Sequence, residues 1–87
     1  MNVAEQIRDR LAQLQPVSLE LVDESSKHAG HAGARDGGGH YQLTIVSAAF
    51  TGATRISRHR MIYAALGDLM RGPVHALAIE AFTPDEL

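Results

Sequence analysis

Val3, Ile7, Leu11 and Leu14 recur at spacings of four, four and three, which draws one apolar stripe along a helix. Asn2 stands at the capping position, and Glu5 three residues on completes a capping box. Pro16 ends the pattern. Val17, Leu19 and Leu21 then alternate with Ser18 and Glu20, the period of a half-buried strand. From Asp23 to Gly39 there is no periodicity and there are five glycines, which predicts a long flexible loop over about 24–39. Tyr41, Leu43 and Ile45 resume the alternation in a second strand that runs to about Val46.

The stretch Phe50–Ala53 interrupts again, and Ser57 offers a cap for a second helix. Met61, Ile62, Ala65, Leu66, Leu69 and Met70 form its broad apolar face. Gly72, read as a left-handed terminal residue, and Pro73 close it. A third strand is predicted from Val74 to about Phe82, with His75, Leu77 and Ile79 on one face, and Thr83–Leu87 is a short tail. The order is helix, strand, strand, helix, strand. It predicts one domain over residues 1–87, an α/β fold of the α+β kind in two layers, with both helices on one side of a three-stranded mixed sheet. A type II KH domain has the same order of elements. Its nucleic-acid clamp, a G-x-x-G turn, is missing, because Gly52 is followed by Ala53, Thr54 and Arg55.

Composition narrows the function classes. A formal charge of −2 gives no overall attraction for nucleic acid, so any basic surface is local. No apolar run approaches a membrane span, and Met1 to Gln15 mixes acids with arginines unlike a signal or transit peptide, so a cytoplasmic address is expected. The chain has no cysteine, which removes disulfides, thiol nucleophiles and any self-sufficient thiolate metal site. Five histidines in 87 residues are out of proportion.

His28 and His31 lie three apart in the glycine-rich loop, where a flexible chain could close imidazoles on a metal. An isolated H-x-x-H is more often a pair of solvated side chains. His75 opens the third strand and His40 the second; each is either a ligand or an ordinary histidine at the core margin. There is no H-E-x-x-H and no nucleophile elbow, and a domain of this size offers little room for a deep pocket of about 300–1,000 Å³, so no enzyme is expected. Arg58-His59-Arg60, with Arg55 before it, falls where the second helix begins, although the helix dipole disfavours cations there. Basic side chains beside free backbone N–H groups make an anion site, for nucleic-acid phosphate or protein carboxylates. The plain alternative is a solvated basic turn, paired with Asp9 or Glu24.

Taken together, Asp23-Glu24-Ser25, His40-Tyr41, Ile45-Val46-Ser47, Phe50-Thr51-Gly52, Arg58-His59-Arg60-Met61-Ile62-Tyr63 and Val74-His75-Ala76-Leu77-Ala78-Ile79 resemble the BolA family over essentially the whole chain. The resemblance is to the bacterial-like, histidine-loop type. It implies a KH-like fold and a partnership with a monothiol glutaredoxin, the two proteins sharing a [2Fe–2S] cluster. On that reading the glutaredoxin and its glutathione supply thiolates, and the BolA side supplies histidine. His75 matches the family's ligand. The loop ligand is His28 counting forward from Asp23-Glu24-Ser25, or His31 counting back from His40, with His28 preferred; His40 is the least favoured, and His59 belongs to the basic turn. The family's other known role, transcriptional regulation through DNA, would use Arg55, Arg58, His59 and Arg60. A homodimer of the free protein is left open.

Overall fold

The computed structural model describes residues 2–24 and 39–87. The elements run α1 (Val3–Leu11), β1 (Ser18–Asp23), β2 (Gly39–Val46), α2 (Arg55–Leu66) and β3 (Val74–Phe82), with short 3-10 turns after α1, β2, α2 and β3. The sheet order is β1-β2-β3, with β1 antiparallel and β3 parallel to β2, so the expected mixed sheet is present. A parallel neighbour requires a crossover, and α2 provides it.

Both helices lie on one face of the sheet. Ile7 and Leu11 of α1, Ile62, Ala65 and Leu66 of α2, Leu43 and Ile45 of β2, and Ile79 of β3 meet there, with Phe50 fully buried between the elements. Two polar links fasten α1 to its surroundings. Arg10 Nη1 donates to the Leu66 carbonyl at 2.8 Å and to Asp68 Oδ1 at 3.0 Å, which caps the C-terminal end of α2. Ser47, 1 % exposed, donates to the Leu14 carbonyl at 2.6 Å and accepts from the Ala49 N–H, so its burial leaves nothing unpaired.

Several boundaries differ from the sequence reading. The stripe through Leu14 is not one helix: α1 ends at Leu11, and Ala12–Leu14 tighten into a 3-10 turn before Gln15 adopts a left-handed φ of 52°. Val17 is 70 % exposed and precedes β1. Gly39 belongs to β2, one residue inside the predicted loop; Ser25 to Gly38, with His28 and His31, lie outside the described residues. Gly67, not Gly72, is the left-handed residue that closes α2, with φ 55°, while Gly72 has φ −138°. Leu69 and Met70 therefore reach the core from a 3-10 turn, Gly67–Arg71, and not from the helix.

Candidate functional site

The chemistry-bearing side chains gather at the two ends of β3. At its start, Gly39 of β2 lies opposite Val74, and His40 lies opposite Ala76. His75 therefore has no opposite number and is the extra residue of a β-bulge. The bulge reverses the alternation: Val74, 1 % exposed, and Ile79, 8 % exposed, both face the core, which an unbroken strand of this spacing would not allow. His75 is thus not on the face of Leu77 and Ile79, as simple alternation implied; it is exposed. The irregularity shows in the sequence only as the odd spacing from Val74 to Leu77 and Ile79.

His40 stands beside it. The two imidazole rings are 5.2 Å apart between centroids and tilted by 33°. The backbone there is closed by the Gly39 N–H donating to the Pro73 carbonyl and the Glu24 N–H donating to the His40 carbonyl, each at 2.7 Å. A side chain at Gly39 would collide with the Tyr41 ring, which lies across it. Burial pushes the Tyr41 phenol above its usual range, and the Asp23 carboxylate adds to the effect. Among the described residues no group of three or more histidines, cysteines or acids could hold a metal ion. His40 and His75 are brought together; His28 and His31 lie outside the described residues.

At the far end of β3 lies the basic turn. Its helix begins earlier than Ser57: Thr54 is the cap, its Oγ1 accepting from the Ser57 N–H at 3.1 Å. Only Arg55 therefore sits in the first turn, and Arg58, His59 and Arg60 follow in the next. Arg55 and Arg60 are exposed and His59 is half-buried. Arg58 points inward and pairs with neither Asp9 nor Glu24. Its Nη1 and Nη2 hold Glu86 Oε1 and Oε2 at 2.7 and 3.0 Å, Nη1 also reaches the Ala81 carbonyl, and Nε reaches the Ala53 carbonyl, both at 3.0 Å. Glu86 is held by the Thr83 N–H as well, in the capping box of the turn Pro84–Glu86. Arg58, and secondarily Thr83, bring the Glu86 carboxyl down to about 2.

An open groove of about 540 Å³ lies between α2 and the edge of β3, lined by Arg55, Arg58, His59, Glu80, Phe82 and Glu86 among others. Sequence reasoning passed over Glu86 and Thr83. The signal was present, since Thr83-Pro84-Asp85-Glu86 has the spacing of a capping box.

Fold and geometry define a small α+β domain that offers an imidazole from a strand bulge at one end and a basic helix start at the other. The chain belongs to the BolA-like protein family, whose sequence profile matches residues 11–86. It is similar to the DNA-binding transcriptional regulator BolA of Escherichia coli, with 42 % identity over 99 % of this chain and 80 % of that protein. It is also similar to SufE-like protein 1, chloroplastic/mitochondrial, of Arabidopsis thaliana, with 47 % identity over 93 % of this chain, though the match covers only 24 % of that longer protein. Among solved structures, BolA1 from Arabidopsis thaliana superposes with a TM-score of 0.86 at 37 % identity, covering 100 % of this chain and 97 % of that one. Among the described residues no helix is long and apolar enough to cross a membrane.

Proposed function

We propose that this protein is a non-catalytic partner of a monothiol glutaredoxin and that it co-ligates a shared [2Fe–2S] cluster through histidine, for cluster trafficking or iron and redox sensing. The observation that carries the reading is His75, exposed on a bulge, with the His40 ring 5.2 Å away. The donor set suits a shared cluster and not a private one. Four ligands are needed, the chain has no cysteine, and the described residues offer no three-ligand group. The thiolates would come from the partner and its glutathione. His75 would be one imidazole ligand, and His28 or His31 the second, with His40 a further donor within reach. Imidazole in place of thiolate raises a cluster's reduction potential and makes ligation sensitive to protonation. The protein's own part is to hold the His75 ring outward on a rigid strand, where a partner can approach it.

The test is an anaerobic titration of the protein into a monothiol glutaredoxin carrying its glutathione-ligated cluster, followed by visible absorbance and circular dichroism. A new spectrum that saturates at one protein per glutaredoxin and is lost with His75→Ala supports the reading. His28→Ala, His31→Ala and His40→Ala then name the second ligand. An unchanged spectrum with no complex on size exclusion overturns it.

A second reading is DNA binding through the start of α2. It is favoured by the exposed Arg55 and Arg60, by the lack of any acid on that helix, and by the name of the bacterial relative. Phosphate contacts predict binding that weakens steeply with salt, in a shift assay that Arg55→Ala and Arg60→Ala impair.

A further inference from the structure

The sequence motif also offers Arg58 as a phosphate contact for the DNA-binding reading, yet its guanidinium is already engaged. Of its five N–H donors, four distances to acceptors are accounted for by Glu86 Oε1 and Oε2, the Ala81 carbonyl and the Ala53 carbonyl. Two of them form the parallel fork that an arginine offers equally to a carboxylate or to a phosphate. The carboxylate that fills the fork comes from the chain itself. It also lines the groove beside Arg55 and His59, where an external anion would have to enter.

We infer that Glu86 is an intramolecular stand-in for phosphate, and that the turn Pro84–Glu86 must swing away before Arg58 can join Arg55, the other arginine of this groove, on a DNA backbone. The device rests on the DNA-binding reading and adds regulation to it. The turn is built to move. It is three residues long, exposed from Pro84 to Leu87, and tied down mainly by Glu86 itself and by the Thr83 hydroxyl donating to Asp85 at 2.7 Å. The Glu86 side of the pair is 40 % exposed, so a polyanion can approach the fork from solvent and compete for the arginine. The Ala81 and Ala53 carbonyls stay in place when Glu86 leaves, and they keep the guanidinium at the mouth of the groove. At rest, Arg55 alone of the groove's two arginines offers its charge, and the chain keeps this basic corner partly neutralised.

The experiment measures binding of a short fluorescein-labelled DNA duplex of mixed sequence by anisotropy, over a series of salt concentrations. Four proteins are compared: the unaltered chain, Glu86→Ala, Glu80→Ala as a charge-matched control in the same groove, and Glu86→Ala combined with Arg58→Ala. The expected result for Glu86→Ala is binding about fivefold tighter or more, with a log–log salt slope steeper by about 0.9, the signature of one further phosphate contact. Glu80→Ala should gain distinctly less, and the double variant should lose the gain. Thermal melts check folding; where Glu86→Ala fails to fold, Glu86→Gln keeps an acceptor for the Thr83 N–H while removing the charge. If the unaltered chain binds and Glu86→Ala binds no better than Glu80→Ala, the latch is wrong and the DNA reading survives. Binding that appears only in Glu86→Ala establishes both. No binding by any of the four overturns both.

Discussion

The two ends of β3 carry residues that look alike in the sequence and behave oppositely in the fold. His75 at the start and Arg58 opposite the end are both nitrogen-rich side chains inside recognisable motifs. His75 is turned out by a bulge and left exposed. Arg58, with a side chain only 13 % exposed, spends its donors on Glu86 and two carbonyls and holds the last residues of the chain onto the sheet. A residue that is offered and a residue that is consumed differ in the partners supplied by distant segments, not in type. The difference is a guide to function: the His75 side chain can be replaced at little cost to the fold, whereas replacing Arg58 takes its donors from the Ala53 and Ala81 carbonyls as well as from Glu86.

The comparison can be broken most severely by removing the bulge. Deleting His75 sets Val74 two residues before Leu77, so Val74, Leu77 and Ile79 all keep the core face and the strand loses only its bulge. The deletion should abolish the heterocomplex spectrum while changing stability, read by urea denaturation, by no more than about 1 kcal/mol. A larger loss of stability would mean that the bulge serves more than display. Arg58→Ala should lower the thermal midpoint by several degrees and leave the heterocomplex spectrum unchanged. A spectrum lost with Arg58→Ala would erase the distinction between the ends. Thr54→Ala, which removes the cap of α2, should cost about 1 kcal/mol in the same denaturation assay, and Ser57→Ala clearly less.

Acid provides a gentler probe. The Glu86 carboxyl is depressed to about 2 in the folded protein, so its contribution is complete above the ordinary carboxylate range and is lost as pH falls from about 4.5 towards 2. Stability measured across that window should fall, and Glu86→Gln should flatten part of the decline. Asp68, lowered by its hydrogen bond with Arg10, accounts for some of the remainder. Smallest of all is His75→Ala, expected to change stability by no more than about 0.5 kcal/mol while abolishing the cluster spectrum. A large loss of stability would show that the histidine is structural after all.

Much of this was legible in the chain. The stripe Val3, Ile7, Leu11 and the alternations Leu19, Leu21 and Tyr41, Leu43, Ile45 each marked an element that formed, and the paired helices on one face followed from them. The motif around Val74-His75 located one end of the site. Helix ends were less legible, because several residues could serve. Ser57 and Thr54 are both good caps, and Gly67 and Gly72 both good terminators, and the choice depends on where α2 must stop to let Arg10 reach the Leu66 carbonyl.

The sequence by itself determined the elements, their order, the absence of any thiolate and the family, because these rest on local periodicity, composition and residue identity. Only the tertiary structure decided which motif residues are available. The bulge that exposes His75 is a register relation between β2 and β3, 35 residues apart at His40 and His75, and the pairing that buries Arg58 reaches 28 residues to Glu86. Contacts of that separation are set by how the sheet and the helices close on the core, and no window along the chain contains both partners.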